Sequence, residues 1–251
     1  MLRKFLKSRG PKPTFAIPPG ERVYAIGDLH GCDDLLARLL ESIDADDKAR
    51  GPARTTLIFL GDLVDRGPAS AQVVERLRRL ALARPDTRFL KGNHEEIFLG
   101  AVEGEPKALR LFCRIGGRET VISYGLDPDR YDRLDYEEFA AELRQLVPPE
   151  HAAFIDTFED MIEIGDYVFV HAGIRPGVEL AEQQTRDLRW IRDPFLDHDR
   201  SFDKMIVHGH TISAEIEFRS NRIGVDTGAY TSGQLSALGL EDTASWSIVT
   251  V

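Results

Sequence analysis

Five of the seven histidines in this chain sit inside short runs of Gly, Asp, Asn and Arg. These are Gly27-Asp28-Leu29-His30-Gly31, Gly61-Asp62-Leu63-Val64-Asp65-Arg66-Gly67, Gly92-Asn93-His94-Glu95, His171-Ala172-Gly173 and His208-Gly209-His210. The donors are carboxylate, amide oxygen and imidazole, with no thiolate. That set suits Mn²⁺, Zn²⁺ or Fe rather than a soft metal. A carboxylate such as Asp62 can bridge two ions about 3.5–4 Å apart, and a water between them becomes a nucleophile near neutral pH. Such a hydroxide attacks phosphorus in line. Arg66, four residues from Asp62, offers a bidentate fork for phosphate. His94 suits the general acid that protonates a leaving oxygen, with Asp65 orienting and charging its imidazole. His151 and His198 lie outside any motif and are expected at the surface.

These residues need elements that bring them to one place. Arg22 to Ile26, Thr55 to Leu60 and Thr87 to Leu90 read as buried strands. Each runs into one of the motifs, at Asp28, Asp62 and Asn93. Between them, Asp33 to Ile43 has helical spacing, with Asp33 or Asp34 as N-cap. The next helix carries Val73, Val74, Leu77, Leu80 and Leu82, with Pro68 in its first turn. This β-α-β-α-β order predicts parallel strands with helices packed on the sheet. In open α/β sheets, ligands bind beyond the carboxyl ends of strands. Any one run also fits a turn or a helix cap. Five runs of compatible chemistry, in order and at strand ends, fit a metal site far better.

The middle of the chain changes character. Glu95 to Ala101, Pro106 to Cys113, Arg118 to Tyr124 and Tyr136 to Leu146 read as short helices, a helical insertion over about residues 95–158. Met161 to Ile164 and Tyr167 to Val170 flank Gly165-Asp166, a hairpin signal. Met205 to Val207, Glu215 to Phe218, Arg222 to Val225, Leu235 to Leu240 and Ser245 to Val251 suggest an antiparallel second sheet.

Bulk properties bound the remaining classes. At 251 residues, 42% hydrophobic and 29% charged, the composition is that of a soluble globular protein. A net charge of −10 argues against nucleic acid as a partner. Two cysteines, Cys32 and Cys113, make neither a disulfide framework nor a thiolate zinc site. They predict free thiols in a reducing, cytoplasmic setting. No stretch approaches the roughly 18 apolar residues that span a membrane. Residues 1–20 read as a flexible basic tail without a signal-peptide core, and 21–251 as a single domain.

Three of the runs, Gly-Asp-Leu-His-Gly, Gly-Asp-Leu-Val-Asp-Arg-Gly and Gly-Asn-His-Glu, resemble the signature blocks of the phosphoprotein phosphatase superfamily of metallophosphoesterases. The resemblance is to its compact bacterial and phage branch, and it extends from about Arg22 to the C-terminus. It implies an α/β (α+β) calcineurin-like β-sandwich flanked by helices, with two divalent metal ions. By that resemblance, Asp28, His30 and Asp62 bind one ion, and Asp62, Asn93, His171 and His210 the other. The Gly-His-Thr pattern selects His210, leaving His208 a neighbour. His94 is then the acid, Asp65 its partner, and Arg66, Asn93 and Arg192 the substrate contacts. Arg192 follows from a Trp-x-Arg pattern at Trp190-Ile191-Arg192, with Arg189 as the fallback. Arg114 and Arg118 in the insertion are weaker candidates for substrate contact.

The activity this implies is phosphomonoester hydrolysis on phosphoserine or phosphothreonine proteins. The alternative on the same core is hydrolysis of a dinucleoside polyphosphate, such as diadenosine tetraphosphate, or another nucleotide.

Overall fold

The computed structural model describes residues 14–250. The elements in chain order are β1 (Glu21–Ile26), α1 (Asp33–Arg50), β2 (Arg54–Phe59), α2 (Ser70–Ala83) and β3 (Thr87–Phe89). Six helices follow: α3 (Asn93–Glu103), α4 (Pro106–Ile115), α5 (Gly117–Ser123), α6 (Pro128–Tyr131), α7 (Tyr136–Leu146) and α8 (Pro149–Asp156). The remainder is β4 (Met161–Ile164), β5 (Tyr167–Val170), α9 (Thr185–Trp190), α10 (Asp193–Leu196), β6 (Met205–His208), β7 (Glu217–Phe218), β8 (Arg222–Gly224), α11 (Ala229–Ser232), β9 (Leu235–Glu241) and β10 (Ala244–Thr250).

Two five-stranded sheets, ordered β10-β9-β1-β2-β3 and β4-β5-β6-β8-β7, pack face to face. Alternation along β1 explains the layering. Val23 and Ala25 face the second sheet, where they meet Phe169, Val207 and Ile223. Tyr24 and Ile26 face the opposite way, among Leu36, Leu39, Val73 and Val74 of α1 and α2. The outer face of the second sheet is covered by Leu188, Ile191 and Phe195 from the α9–α10 corner. The result is a β-sandwich flanked by helices on both sides.

The expectation of an antiparallel second sheet is corrected. β5, β6 and β8 are parallel, and only the outer strands β4 and β7 run against them. A parallel pair needs a long crossover, and residues 171–204 supply one that carries α9 and α10. β9 and β10 are antiparallel but belong to the first sheet, where β9 pairs with β1.

Smaller departures have local causes. Asp33 begins α1 without capping it, because its carboxylate is held by Arg76 at 2.6 Å. Pro68 lies in the turn before α2, which starts only at Ser70. Leu82 is 76% exposed, on the solvent side of α2. α8 has no counterpart in the hydrophobic periodicity and begins at a Pro-Pro pair. His151, expected at the surface, is buried on α8. Its ring nitrogens meet the Tyr124 hydroxyl at 3.0 Å and Glu75 at 3.2 Å, so it ties α8 to α2 and the α5 terminus. Most of the expected tail, residues 1–13, lies outside the described residues. Its last part is docked. Ile17 is buried between the sheets, its amide donates to Asp242 O at 2.8 Å, and Ala16 exchanges hydrogen bonds with Asp166.

The closure of the first sheet depends on one buried cation. Arg22 is 1% exposed, and its guanidinium donates to both Glu241 oxygens at 3.0 Å, to Asp47 Oδ1 at 2.7 Å and to the carbonyls of Asp47 and Gly51. It joins the start of β1 to the ends of β9 and α1. Arg22→Ala leaves two half-solvated carboxylates unpaired, so the expected loss is about 2–3 kcal/mol, below that of a fully buried pair. Urea unfolding of the two proteins measures it.

Candidate metal centre and active site

Five strand ends deliver the chemistry. β1 runs into Asp28, β2 into Asp62, β3 into Asn93, β5 into His171 and β6 into His210. Because β1, β2 and β3 are parallel, and β5 and β6 are parallel, the strands of each group open their carboxyl ends on one edge. The chain then turns sharply. Gly61 has φ +103°, and a Cβ there would stand 2.7 Å from the Gly92 amide nitrogen.

Among the described residues, six that are not glycine have positive φ, and five of them are His30, Asp62, Asp65, Arg66 and His210. Such conformations are unfavourable for side-chain-bearing residues and persist only where surroundings enforce them. The enforcing group at the Asp62 turn is Glu95, which is fully buried. Its carboxylate accepts N–H bonds from Asp62 at 2.7 Å, Leu63 at 2.7 Å, Val64 at 3.4 Å and Gly92 at 2.9 Å. Burial lifts this carboxyl to about 7, with Asp62 adding to the rise and the backbone donors opposing it.

Asp62 is shared between two clusters, His30–Asp62–His94 and Asp62–His171–His210, each with its ligand atoms within 4.8 Å of one another. In the second cluster, His171 Nδ1–H donates to Leu60 O at 2.7 Å, which leaves Nε2 as the nitrogen that takes up a proton or, in its place, a metal. Nε2 faces Asn93 Oδ1 at 3.1 Å, His210 Nδ1 at 3.1 Å and Asp62 Oδ2 at 3.4 Å. His210 Nε2 is buried without a partner. Acceptors converging on one point need a cation between them. The set fits a divalent ion with nitrogen and oxygen preferences.

In the first cluster, His30 Nδ1–H donates to Val64 O at 2.8 Å, again freeing Nε2. Nε2 stands 3.6 Å from Asp62 Oδ2 and accepts from Arg66 at 3.0 Å. A metal on His30 Nε2 and this Arg66 hydrogen bond exclude one another. The geometry groups His94 with this cluster, whereas the resemblance groups Asp28. Asp28 accepts from the His210 amide at 3.1 Å and is buried beside Asp226.

The electrostatics agree with a demand for positive charge. Burial, then the Asp226 charge, raises the Asp28 carboxyl. Asp226 is itself pushed up to about 6, first by burial. Burial opposes a charge on His171, yet Asp62 and Asp28 hold its pKa near 10. His30 falls to about 3 and His210 to about 2, burial being the main cause, so both are neutral and able to ligate.

His94 is a separate device. Its Nδ1–H donates to Asp65 Oδ2 at 2.7 Å, and Asp65 Oδ1 accepts from the Thr120 hydroxyl at 2.7 Å. Thr120 also accepts the Asp65 amide at 2.8 Å. Burial lowers the His94 pKa, but Asp62 and Asp65 outweigh it and leave it raised. Arg66 donates to His94 Nε2 at 3.0 Å. Arg192 is exposed, with its guanidinium 3.4 Å from the His210 carbonyl, whereas Arg189 is engaged by Asp160 and Glu96. Arg118 lies over Tyr131 and reaches Asp132, and Arg114 is exposed. His208 packs edge-on against Phe195, with burial lowering it to about 4. Cys32 and Cys113 are free, and burial raises both thiols, Cys32 to about 11.

Sequence reasoning assigned no part to Glu95, Thr120, Asp226 or Tyr230. Glu95 stood inside a motif, three residues after Gly92, and its spacing was the available signal. Tyr230 carried none. Its ring lies 5.2 Å from His30, and its hydroxyl lies 3.3 Å from Arg66, placing α11 at the site.

Fold and site together define a metal-dependent phosphoesterase. The chain belongs to the calcineurin-like phosphoesterase family, whose model matches residues 21–235. It is 34% identical over 176 residues to the symmetrical bis(5'-nucleosyl)-tetraphosphatase of Paracidovorax citrulli, a match covering 70% of this chain and 48% of that one. The chain thus spans about half the length of that relative. It is 28% identical to the asymmetrical bis(5'-nucleosyl)-tetraphosphatase PrpE of Anoxybacillus flavithermus, covering 85% and 88%. The crystal structure of a candidate diadenosine tetraphosphatase superposes with TM-score 0.65 at 21% identity, over 94% and 99% of the chains. A cold-active protein tyrosine phosphatase shares the fold at TM-score 0.58 and 18% identity. No helix among the described residues is long and apolar enough to cross a membrane.

Glu95→Gln replaces one acceptor oxygen with a donor facing backbone N–H groups. The expected result is metal affinity weakened about 10–100-fold, as for other groups that orient ligands, measured by metal content after dialysis against graded chelator.

Proposed function

We propose that this chain hydrolyses dinucleoside polyphosphates, with diadenosine tetraphosphate as the reference substrate. Asp62 shared between two buried ligand clusters is the observation that carries the chemistry. The nucleotide assignment is supported by relatives that carry the tetraphosphatase name across most of this chain's length. It takes precedence over the phosphoprotein reading, which rests on the resemblance of the three motif runs and has no named relative behind it beyond a shared fold.

Asp28, His30 and Asp62 would hold one divalent ion and Asp62, Asn93, His171 and His210 another; such a pair, when bound, would supply a nucleophilic water at neutral pH and polarise the phosphoryl oxygens. The donors suit Mn²⁺, Fe or Zn, and Mn²⁺ is the ion chosen for the assay below. Arg66 leaves His30 and His94 to fork onto the phosphate, which releases His30 Nε2 for coordination and His94 Nε2 to carry a proton. Arg192 meets the phosphate from the His210 side, and Asn93 adds a contact beside it. His94 then gives its Nε2 proton to the leaving oxygen, while Asp65, held by Thr120, stabilises the imidazolium.

Purified protein with Mn²⁺ is expected to cleave diadenosine tetraphosphate with a higher kcat/KM than a phosphothreonine peptide. Chromatography of the products distinguishes cleavage into two ADP from cleavage into ATP and AMP. A peptide preferred over the dinucleotide refutes the assignment. His94→Asn is expected to reduce kcat roughly a hundred- to ten-thousand-fold with metal content preserved. Loss of metal in this variant would make His94 a ligand instead, as its place in the first cluster allows.

A further inference from the structure

A cleft of about 570 Å³ opens along α9 and the start of α10. Arg175, Arg186, Asp187, Trp190, Arg192 and Pro194 line it. Its charges are unequal. Arg175 is neutralised by a two-pronged pair with Asp187 at 2.6 and 2.7 Å. Arg186 and Arg192 are exposed and make no ion pair among the described residues. Asp187 already answers Arg175 and lies within reach of the Arg186 charge, so the cleft holds more guanidinium than carboxylate in a chain of net charge −10.

The cleft is bolted to the metal centre. Arg192 donates to the carbonyl of His210 at 3.4 Å. The Trp190 indole N–H donates to Glu96 at 3.1 Å, and Glu96 sits on α3, three residues beyond Asn93. Arg189 reaches the same carboxylate at 3.3 Å and Asp160 at 2.7 Å. The indole is thereby half-buried and fixed in position, with its polar edge already satisfied.

We propose that this cleft is the subsite for the part of a nucleotide that extends beyond the phosphate under attack. Arg186 takes the next phosphate group, Arg192 stands between it and the phosphate under attack, and the Trp190 indole takes the base. Guanidinium forks match phosphate oxygens, and a rigid aromatic ring accepts any base face at roughly 1–3 kcal/mol. The size suits one nucleotide arm, within the about 300–1,000 Å³ of ordinary ligand clefts. This subsite rests on the nucleotide reading above. It adds two residues, Arg186 and Trp190, that recognise substrate without touching the reacting phosphorus.

Binding to Mn²⁺-loaded protein, measured by titration calorimetry, tests it independently of turnover. The probes are α,β-methylene-ADP, which fills the metal centre and the cleft, and inorganic phosphate, which fills the metal centre alone. Arg186→Ala is expected to weaken α,β-methylene-ADP about tenfold and leave inorganic phosphate unchanged. Trp190→Ala is expected to do the same, and Trp190→Phe to restore most of the affinity. Equal affinity for α,β-methylene-ADP in wild type and Arg186→Ala overturns the proposal. So does equal weakening of both probes, or no binding of α,β-methylene-ADP by wild type where phosphate binds. Failure of the wild type to cleave diadenosine tetraphosphate, with the affinity differences intact, instead removes the hydrolase assignment and leaves the nucleotide subsite.

Discussion

The Glu95 carboxylate holds four backbone amides, from Asp62, Leu63, Val64 and Gly92, around one buried point. The ends of β2 and β3 cannot sit as they do without it. Asp62 has positive φ, and the amides on either side of the turn have no ladder to join. A neutral acceptor would satisfy fewer of them. The α3 N-terminus, where the His94 amide meets Asp62 at 3.0 Å, completes the same knot from the other side. The site is therefore built by backbone held in an unfavourable shape, with ligand side chains aimed as a consequence.

That arrangement concentrates negative charge. Asp28, Asp62 and Asp226 are all buried near one another, with Glu95 behind them. The histidines respond in opposite ways according to their distance from Asp62 and their own desolvation. His171 is driven towards protonation, while His30 and His210 are driven away from it. A cation of higher charge than a proton relieves the whole group at once. Arg66 stands at the boundary between the cation sites and the proton donor, touching His30 and His94 together. Its guanidinium ties the two imidazoles together, each by a hydrogen bond of 3.0 Å.

Much of the architecture could be read from the chain because period-two strands and Gly-Asp punctuation are local signals. The first three strands, the hairpin at Gly165-Asp166 and the helix over residues 136–146 follow from such patterns. The partnership of β9 with β1 does not, since nothing local distinguishes a strand that joins the second sheet from one that returns to the first. The same division applies to the site. Asp62, His171 and His210 announce themselves by type and by position after apolar runs. Thr120 and Tyr230 act from the insertion and from α11, and their residue types are ordinary there. His151 was misplaced for the complementary reason. A histidine outside a motif gives no hint that Tyr124 and Glu75 will enclose it.

The return of the chain to its own beginning has a kinetic meaning. β1 lies between β2 and β9, with Ile26 paired to Ala237, so the centre of the first sheet lacks one neighbour until β9 is synthesised. Docking of strands so far apart in sequence slows folding, because the loop must close before contacts reward it. A ribosome-bound chain would expose one side of β1 until β9 has emerged. Asp28, beyond the end of β1, waits in the same way for the His210 amide. Completion of the site is thus coupled to the covering of an open strand edge.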